Sequence, residues 1–169
     1  MAGIDVVISG IGQSAVGRKL AQSGLELTVD ASLEAIADAG LTVADIDGLS
    51  TFPGRRPDAI PFSPVGTMDL KDALGLKLDW FAGAMEGSAQ IGAIINAYAA
   101  IKAGLVRHVL CFRTVKEGSG GASWKENAEV RTHRARLDGE FQYLFPYNAI
   151  SATNWLSLYA QRHFHLYGT

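Results

Sequence analysis

The chain has 169 residues, 48% of them apolar and 19% charged, with a formal net charge of −2. That balance fits a folded globular protein and excludes a disordered tail or a polyanion-binding surface, so nucleic acid is not an expected partner. A chain of this length buries about 70% of the surface its unfolded form exposes, which makes one compact domain the default, and its single cysteine, Cys111, excludes an internal disulfide.

Four histidines without ligand spacing predict no metal site, and the cysteine usage suits a reducing cytoplasm. The start, MAGIDVVISGIG, has no basic residue ahead of its apolar run and so lacks the charged region of a signal peptide. Ile4 to Ser9 reads as a buried first strand. Leu25 to Ala39 carries apolar residues at helical spacing, ends near Gly40, and is followed by a short turn capped by Thr42 and Asp45. Gly48 to Phe52 reads as a strand, and Pro53 to Pro64, which holds four of the five prolines, as a surface loop.

Met68 to Leu74 is expected to be a short helix and Asp79 to Ala84 another strand. Ala89 to Ala103 (AQIGAIINAYAAIKA) has Ile91, Ile94, Ile95, Tyr98 and Ile101 on one face and small residues on the other. Such a helix, apolar all round, is expected to be buried within a layered structure, and it is too short and too interrupted to span a bilayer. Arg107 to Val115 reads as a strand buried on both faces, which favours an α/β fold with a mostly parallel sheet. Lys116 to Gly139 turns polar, with a glycine-rich GSGG and a basic patch from Arg131 to Arg136, and reads as a lid or contact loop. Ser151 to Leu166 reads as a last helix. The expected organisation is a core over residues 1–115 and an excursion with its helix over 116–169.

Three stretches, AGIDVVISGIGQSAVGR, MEGSAQIGAIINAYAAIKAGLVRHVLCFRTV and FPYNAISATNWLSLYAQRHFHLYGT, together resemble the thiolase superfamily. More narrowly, they are similar to sterol-carrier-type thiolases and the lipid-transfer-protein aldolases that act on steroid side-chain thioesters. The resemblance implies a thiolase-like layered fold with a buried central helix, of which the chain looks like the N-terminal part: one half plus part of the loop domain. It also implies a nucleophilic cysteine at the start of the buried helix, a position that counting back from Gly104 assigns to Gly87. Met85, Glu86, Ser88 and Ala89 flank it, so no small shift restores a thiol and an ordinary thiolase reaction is not expected. The aldolase relatives cleave a β-hydroxy acyl-CoA without that nucleophile, using a base and an oxyanion site. The resemblance further implies a coenzyme A thioester as substrate with no bound cofactor, a homodimer, and a small DUF35-type partner with a zinc ribbon and OB-fold. A degenerate thiolase or acyltransferase, or a non-catalytic acyl-CoA-binding scaffold, are the alternatives.

Within that frame Glu86, Gly87 and Ser88 are the candidate catalytic residues: helix-start amides to hold an oxyanion, and Glu86 as a base. The alternative is a tight glycine turn with an ordinary dipole partner. Arg113 and Arg134 are candidate coenzyme A contacts, the latter in a cluster with Arg131, His133 and Arg136 that equally suits a solvated face. Tyr143, Tyr147 and Asn148 would line an acyl pocket or simply anchor the last helix. Mid-strand Cys111 reads as a small hydrophobe. Gly10, Gly12 and Gly17 depart from the spacing of a dinucleotide loop and read as a strand-ending loop. His163 and His165, about 200° apart around a helix, cannot share one metal and read as packing or surface residues.

Overall fold

The computed structural model describes residues 5–18, 20–55, 62–83, 89–116, 141–149 and 152–169. The chain divides into two compact units, Met1–Gly120 and Gly121–Thr169. In the first, helix α1 (Gly24–Asp38) leads to strand β1 (Gly48–Thr51), helix α2 (Thr67–Leu74), strand β2 (Trp80–Gly83), helix α3 (Ala89–Lys102) and strand β3 (Val109–Phe112).

Local chemistry sets the boundaries. Ser23 caps α1, its Oγ accepting from the Glu26 amide at 3.1 Å while the Glu26 carboxylate accepts from the Ser23 amide. These bonds from Ser23, backbone first, hold the Glu26 carboxyl below its ordinary value. Gly40, at φ 68°, ends the helix in the left-handed conformation expected of it, and the Leu41 amide returns to the Ile36 carbonyl. The Thr42 amide and hydroxyl both donate to Asp45 at the 3-10 turn Val43–Asp45.

The sheet runs β2-β1-β3 with both pairings parallel, so β1 is central. Asp47, just before it, fixes the register: its carboxylate accepts from the Arg107 and His108 amides and its carbonyl from Asp79. Leu49 enters a core with Ile36 of α1, Leu70 of α2 and Leu110 of β3. Its neighbour Ser50 points to the opposite face and donates to the Ala93 carbonyl of α3 at 2.8 Å. Helices therefore cover both faces, and the α/β expectation with a parallel sheet stands.

Three expectations do not. The Ile4 to Ser9 strand is not formed: among the described residues the sheet has three strands, and residues 5–10 run outside the ladder. Residues 107–115 do not make a strand buried on both faces, because β3 is a four-residue edge strand whose one buried residue is Leu110. Nor is α3 buried all round. Its small residues Ala93, Ala97 and Ala100 pack inward, letting the helix backbone approach the sheet, while Ile91 (64% exposed), Ile95 (53%) and Tyr98 (48%) face outward. A thiolase-like layered architecture is thus not established.

The second unit contains a short helix α4 (Phe141–Leu144), a 3-10 turn (Phe145–Tyr147) and helix α5 (Ala152–Tyr167). Trp155 Nε1 donates to the Ala149 carbonyl at 2.7 Å and ties α5 to the turn before it. No helix among the described residues is long and apolar enough to cross a membrane.

Candidate functional site

In a parallel sheet the crevice beyond the carboxyl ends of the strands is the usual place for a ligand, because every strand delivers its following loop there. Here that end is built from Thr51 of β1, Gly83 of β2 and the residues after β3. The Thr51 hydroxyl donates to the Phe112 carbonyl at 2.8 Å and locks the two strand ends together. Gly54 adopts φ 80°, and a Cβ there would lie 3.7 Å from the Gly83 Cα, so the loop leaving β1 runs close over the end of β2. Buried Ser63 donates to the Gly54 carbonyl and anchors the far side of the proline-rich segment.

Arg113, immediately after β3, projects at this end. Its guanidinium sits 4.4 Å from the centre of the Phe62 ring and donates to the Thr114 carbonyl at 3.3 Å. Stacking on an aromatic face while keeping donors in a fixed plane is what lets arginine hold a carbonyl or phosphate oxygen in a set direction. Thr114 in turn hydrogen-bonds Thr28 of α1, and Lys116 donates to the Gln22 carbonyl, so the segment after β3 is fastened to the first helix.

Helix α3 starts beside these strand ends, at Ala89, whose φ of 53° is unusual for a residue with a side chain. Glu86, Gly87 and Ser88 lie in the sequence just before it and fall outside the described residues, as do Arg131, His133, Arg134 and Arg136. Tyr143 and Tyr147, 70% and 84% exposed, belong to the second unit with Asn148, which has φ 57°. Of the candidates from sequence, Arg113 alone is described in the first unit. Thr51, Ser63 and Phe62 went unremarked in the sequence, where only the proline cluster marked their surroundings.

Cys111 is not poised for catalysis. Although the residue is exposed along the open edge of β3, its Sγ lies 3.9 Å from the Ala93 carbonyl, and burial of the thiol pushes its pKa up to about 11. It is a neutral thiol at physiological pH. Gly10 and Gly12 are packing residues: a Cβ on either would fall within 2.3 Å of a carbonyl of α1. The His163 ring lies 4.8 Å from that of Tyr167 on α5. Among the described residues no group of three His, Cys, Asp or Glu could hold a metal ion.

No family model matches the chain. Over 95% of its length the chain is 28% identical to a steroid side-chain-cleaving aldolase of Thermomonospora curvata. Over 97% it is 25% identical to a 17-hydroxy-3-oxo-4-pregnene-20-carboxyl-CoA lyase of Mycobacterium tuberculosis. A solved Ltp2-ChsH2(DUF35) aldolase superposes on 96% of the chain with a TM-score of 0.74 and 29% identity. Its relatives are aldolases and a lyase.

These findings overturn the assignment to the thiolase superfamily and its sterol-carrier branch: none of these relatives is named a thiolase, and the likeness is to an aldolase whose name includes a DUF35 component. The physical basis of the error is that a strand, small-residue helix and strand in series form a common α/β unit, so the quoted stretches carry packing requirements rather than a reaction. The chain spans 40% and 41% of the length of the two curated relatives and 38% of the solved chain.

Proposed function

We propose that this chain is part of an aldolase that cleaves a carbon–carbon bond in a β-hydroxy acyl-CoA with a bulky hydrophobic acyl group, of the steroid side-chain class. The observation that carries the proposal is the likeness, over nearly the whole chain, to a side-chain-cleaving aldolase and a CoA lyase. The crevice at the strand ends, where Arg113 stacks on the Phe62 ring, supports it.

In this reading a base takes the proton of the β-hydroxyl, the bond between Cα and Cβ breaks, and Cβ becomes a ketone or aldehyde carbonyl. The electron pair of the broken bond passes into the thioester as an enolate, and a proton delivered to Cα yields the shorter acyl-CoA. The amides of Gly87 and Ser88 hold the enolate oxygen, aided by the positive end of α3. Glu86 is the candidate base, and Arg113 and Arg134 meet coenzyme A or the thioester. Tyr143, Tyr147 and Asn148 are the second unit's candidates for contact with an acyl group. The chemistry needs no resident cofactor. The working enzyme is an assembly with further polypeptide, for which a homodimer and a small DUF35-type subunit are the partners to test.

The natively purified protein, with whatever copurifies, is weighed intact and then given a β-hydroxy acyl-CoA bearing a steroid side chain. Release of a ketone or aldehyde together with a shorter acyl-CoA is the expected result, unchanged by Cys111→Ala and lowered at least about 100-fold by loss of an oxyanion donor or base. Binding of the thioester without product would make the chain a scaffold and reject the proposal.

A further inference from the structure

The segments that follow β1 and β3 meet where the Arg113 guanidinium lies over the Phe62 ring, 4.4 Å from its centre. Each side of that contact is fixed by its own neighbours. Beside Phe62, Ser63 is buried and donates to the Gly54 carbonyl, and Val65 joins the core with Leu49 and Leu70. Pro64 lies against Gly24 at the start of α1, where a Cβ would come within 2.6 Å of the proline ring. Beside Arg113, the Phe112 carbonyl accepts from Thr51 at 2.8 Å and Thr114 is hydrogen-bonded to Thr28.

These anchors hold both backbones whatever side chain stands at the half-buried position 62. What a ring adds there is an electron-rich face, which attracts a cation as an aliphatic side chain does not. Arginine is among the side chains that lose most rotamer freedom on ordering. Stacking on Phe62, with the bond from Nη1 to the Thr114 carbonyl at 3.3 Å, orders the guanidinium plane before a ligand arrives, and so lessens the cost of binding one. The stack stands at the carboxyl end of the parallel sheet, where a ligand is expected, and brings a positive charge there.

We infer that Phe62 is a positioning residue that acts through Arg113, its ring setting the direction in which the guanidinium meets an oxygen anion of the substrate. The inference rests on the acyl-CoA reading above for the ligand, whose anion is a coenzyme A phosphate or the thioester oxygen that gains charge in the reaction.

The natively purified protein, with whatever copurifies, is titrated calorimetrically with two probes. Coenzyme A carries the phosphates without the acyl thioester. A steroid-acyl pantetheine thioester lacking the β-hydroxyl carries the thioester without the phosphates and cannot be cleaved. Phe62→Leu is expected to weaken at least one probe by about five- to thirty-fold, and Phe62→Tyr, which keeps the ring, to hold that affinity within about twofold of the parent. Arg113→Gln should weaken the same probe at least as much, and that probe identifies the anion. Adding Phe62→Leu to Arg113→Gln should cost nothing more, because the ring then has no cation to direct, whereas a ring that only shaped the loop would weaken binding in both backgrounds. Equal losses in the two backgrounds, no loss from Phe62→Leu with either probe, or no binding of either probe by the parent overturns the inference. Product release with ring-independent binding would reject it and leave the aldolase reading standing, and ring-dependent binding without product would do the reverse.

Discussion

Strands β1 and β3 lie side by side in register, yet they invert what their sequences suggest. Gly48–Thr51 (GLST) is half polar and is buried throughout, while Val109–Phe112 (VLCF) is wholly apolar and contributes one buried residue. The difference shows that burial in this sheet follows position. A central strand loses water on both faces and both edges, so it takes small residues where helices come close and hydroxyls where a carbonyl needs a donor. An edge strand of the described sheet keeps one side open, so apolar residues there are left partly exposed.

The partners Leu49 and Leu110 offer the strongest way to break this comparison. Leu49→Ala is expected to destabilise the fold by about 3–4 kcal/mol in denaturant unfolding, because the site is closed on every side and cannot collapse. Leu110→Ala should cost less, about 2 kcal/mol, since the open edge admits water and relaxation. Equal losses would mean that β3 is no less enclosed than β1.

A sharper pair is Ser50 and Cys111, which both face the Ala93 carbonyl, at 2.8 and 3.9 Å. Ser50→Ala removes a buried hydrogen bond and should cost about 1 kcal/mol, whereas Cys111→Ala should fall within about 0.5 kcal/mol of the parent by the same measurement. Alkylation of Cys111 should be slow at neutral pH and rise as pH approaches about 11. Because the folded pKa lies above the ordinary 9.0, the contribution of this thiol to stability is complete below pH 9 and is lost as pH rises through 11. Fast labelling at pH 7 would contradict the inward position of the sulfur.

The smallest global effect is expected from Gly12→Ala, whose new Cβ would strike the backbone of α1. It should speed exchange of the Ile11 and Gln13 amides at least tenfold as their bonds to Asp38 and Glu34 open, with little change in the melting of β1. A large loss of overall stability would show that residues 5–17 belong to the core.

Element order was largely legible in the sequence. The capped helix ending at Gly40, the Thr42–Asp45 turn, the strand from Gly48, the helix to Leu74 and the helix from Ala89 all emerged from spacing and capping chemistry, and the structure places them within about two residues. The site was much less legible. Arg113 meets Phe62, and Thr51 meets the Phe112 carbonyl, through contacts that join residues 51 and 61 positions apart, respectively. No local pattern encodes such a meeting. The resemblance drawn from quoted stretches pointed toward aldolases and thiolases together, and the likeness to known proteins supports the aldolases alone.

By itself the sequence determined the helices, their caps and where the strands at Gly48 and Trp80 fall, because these depend on interactions within a few residues. Only the tertiary structure decided which strand is central, that α3 turns its alanines inward and its isoleucines outward, and that Gly10 and Gly12 hold an unpaired segment against α1. An apolar residue is equally suited to a core, a sheet edge or a contact with another polypeptide, so its type records that water is to be excluded. Which neighbour excludes it is set by packing.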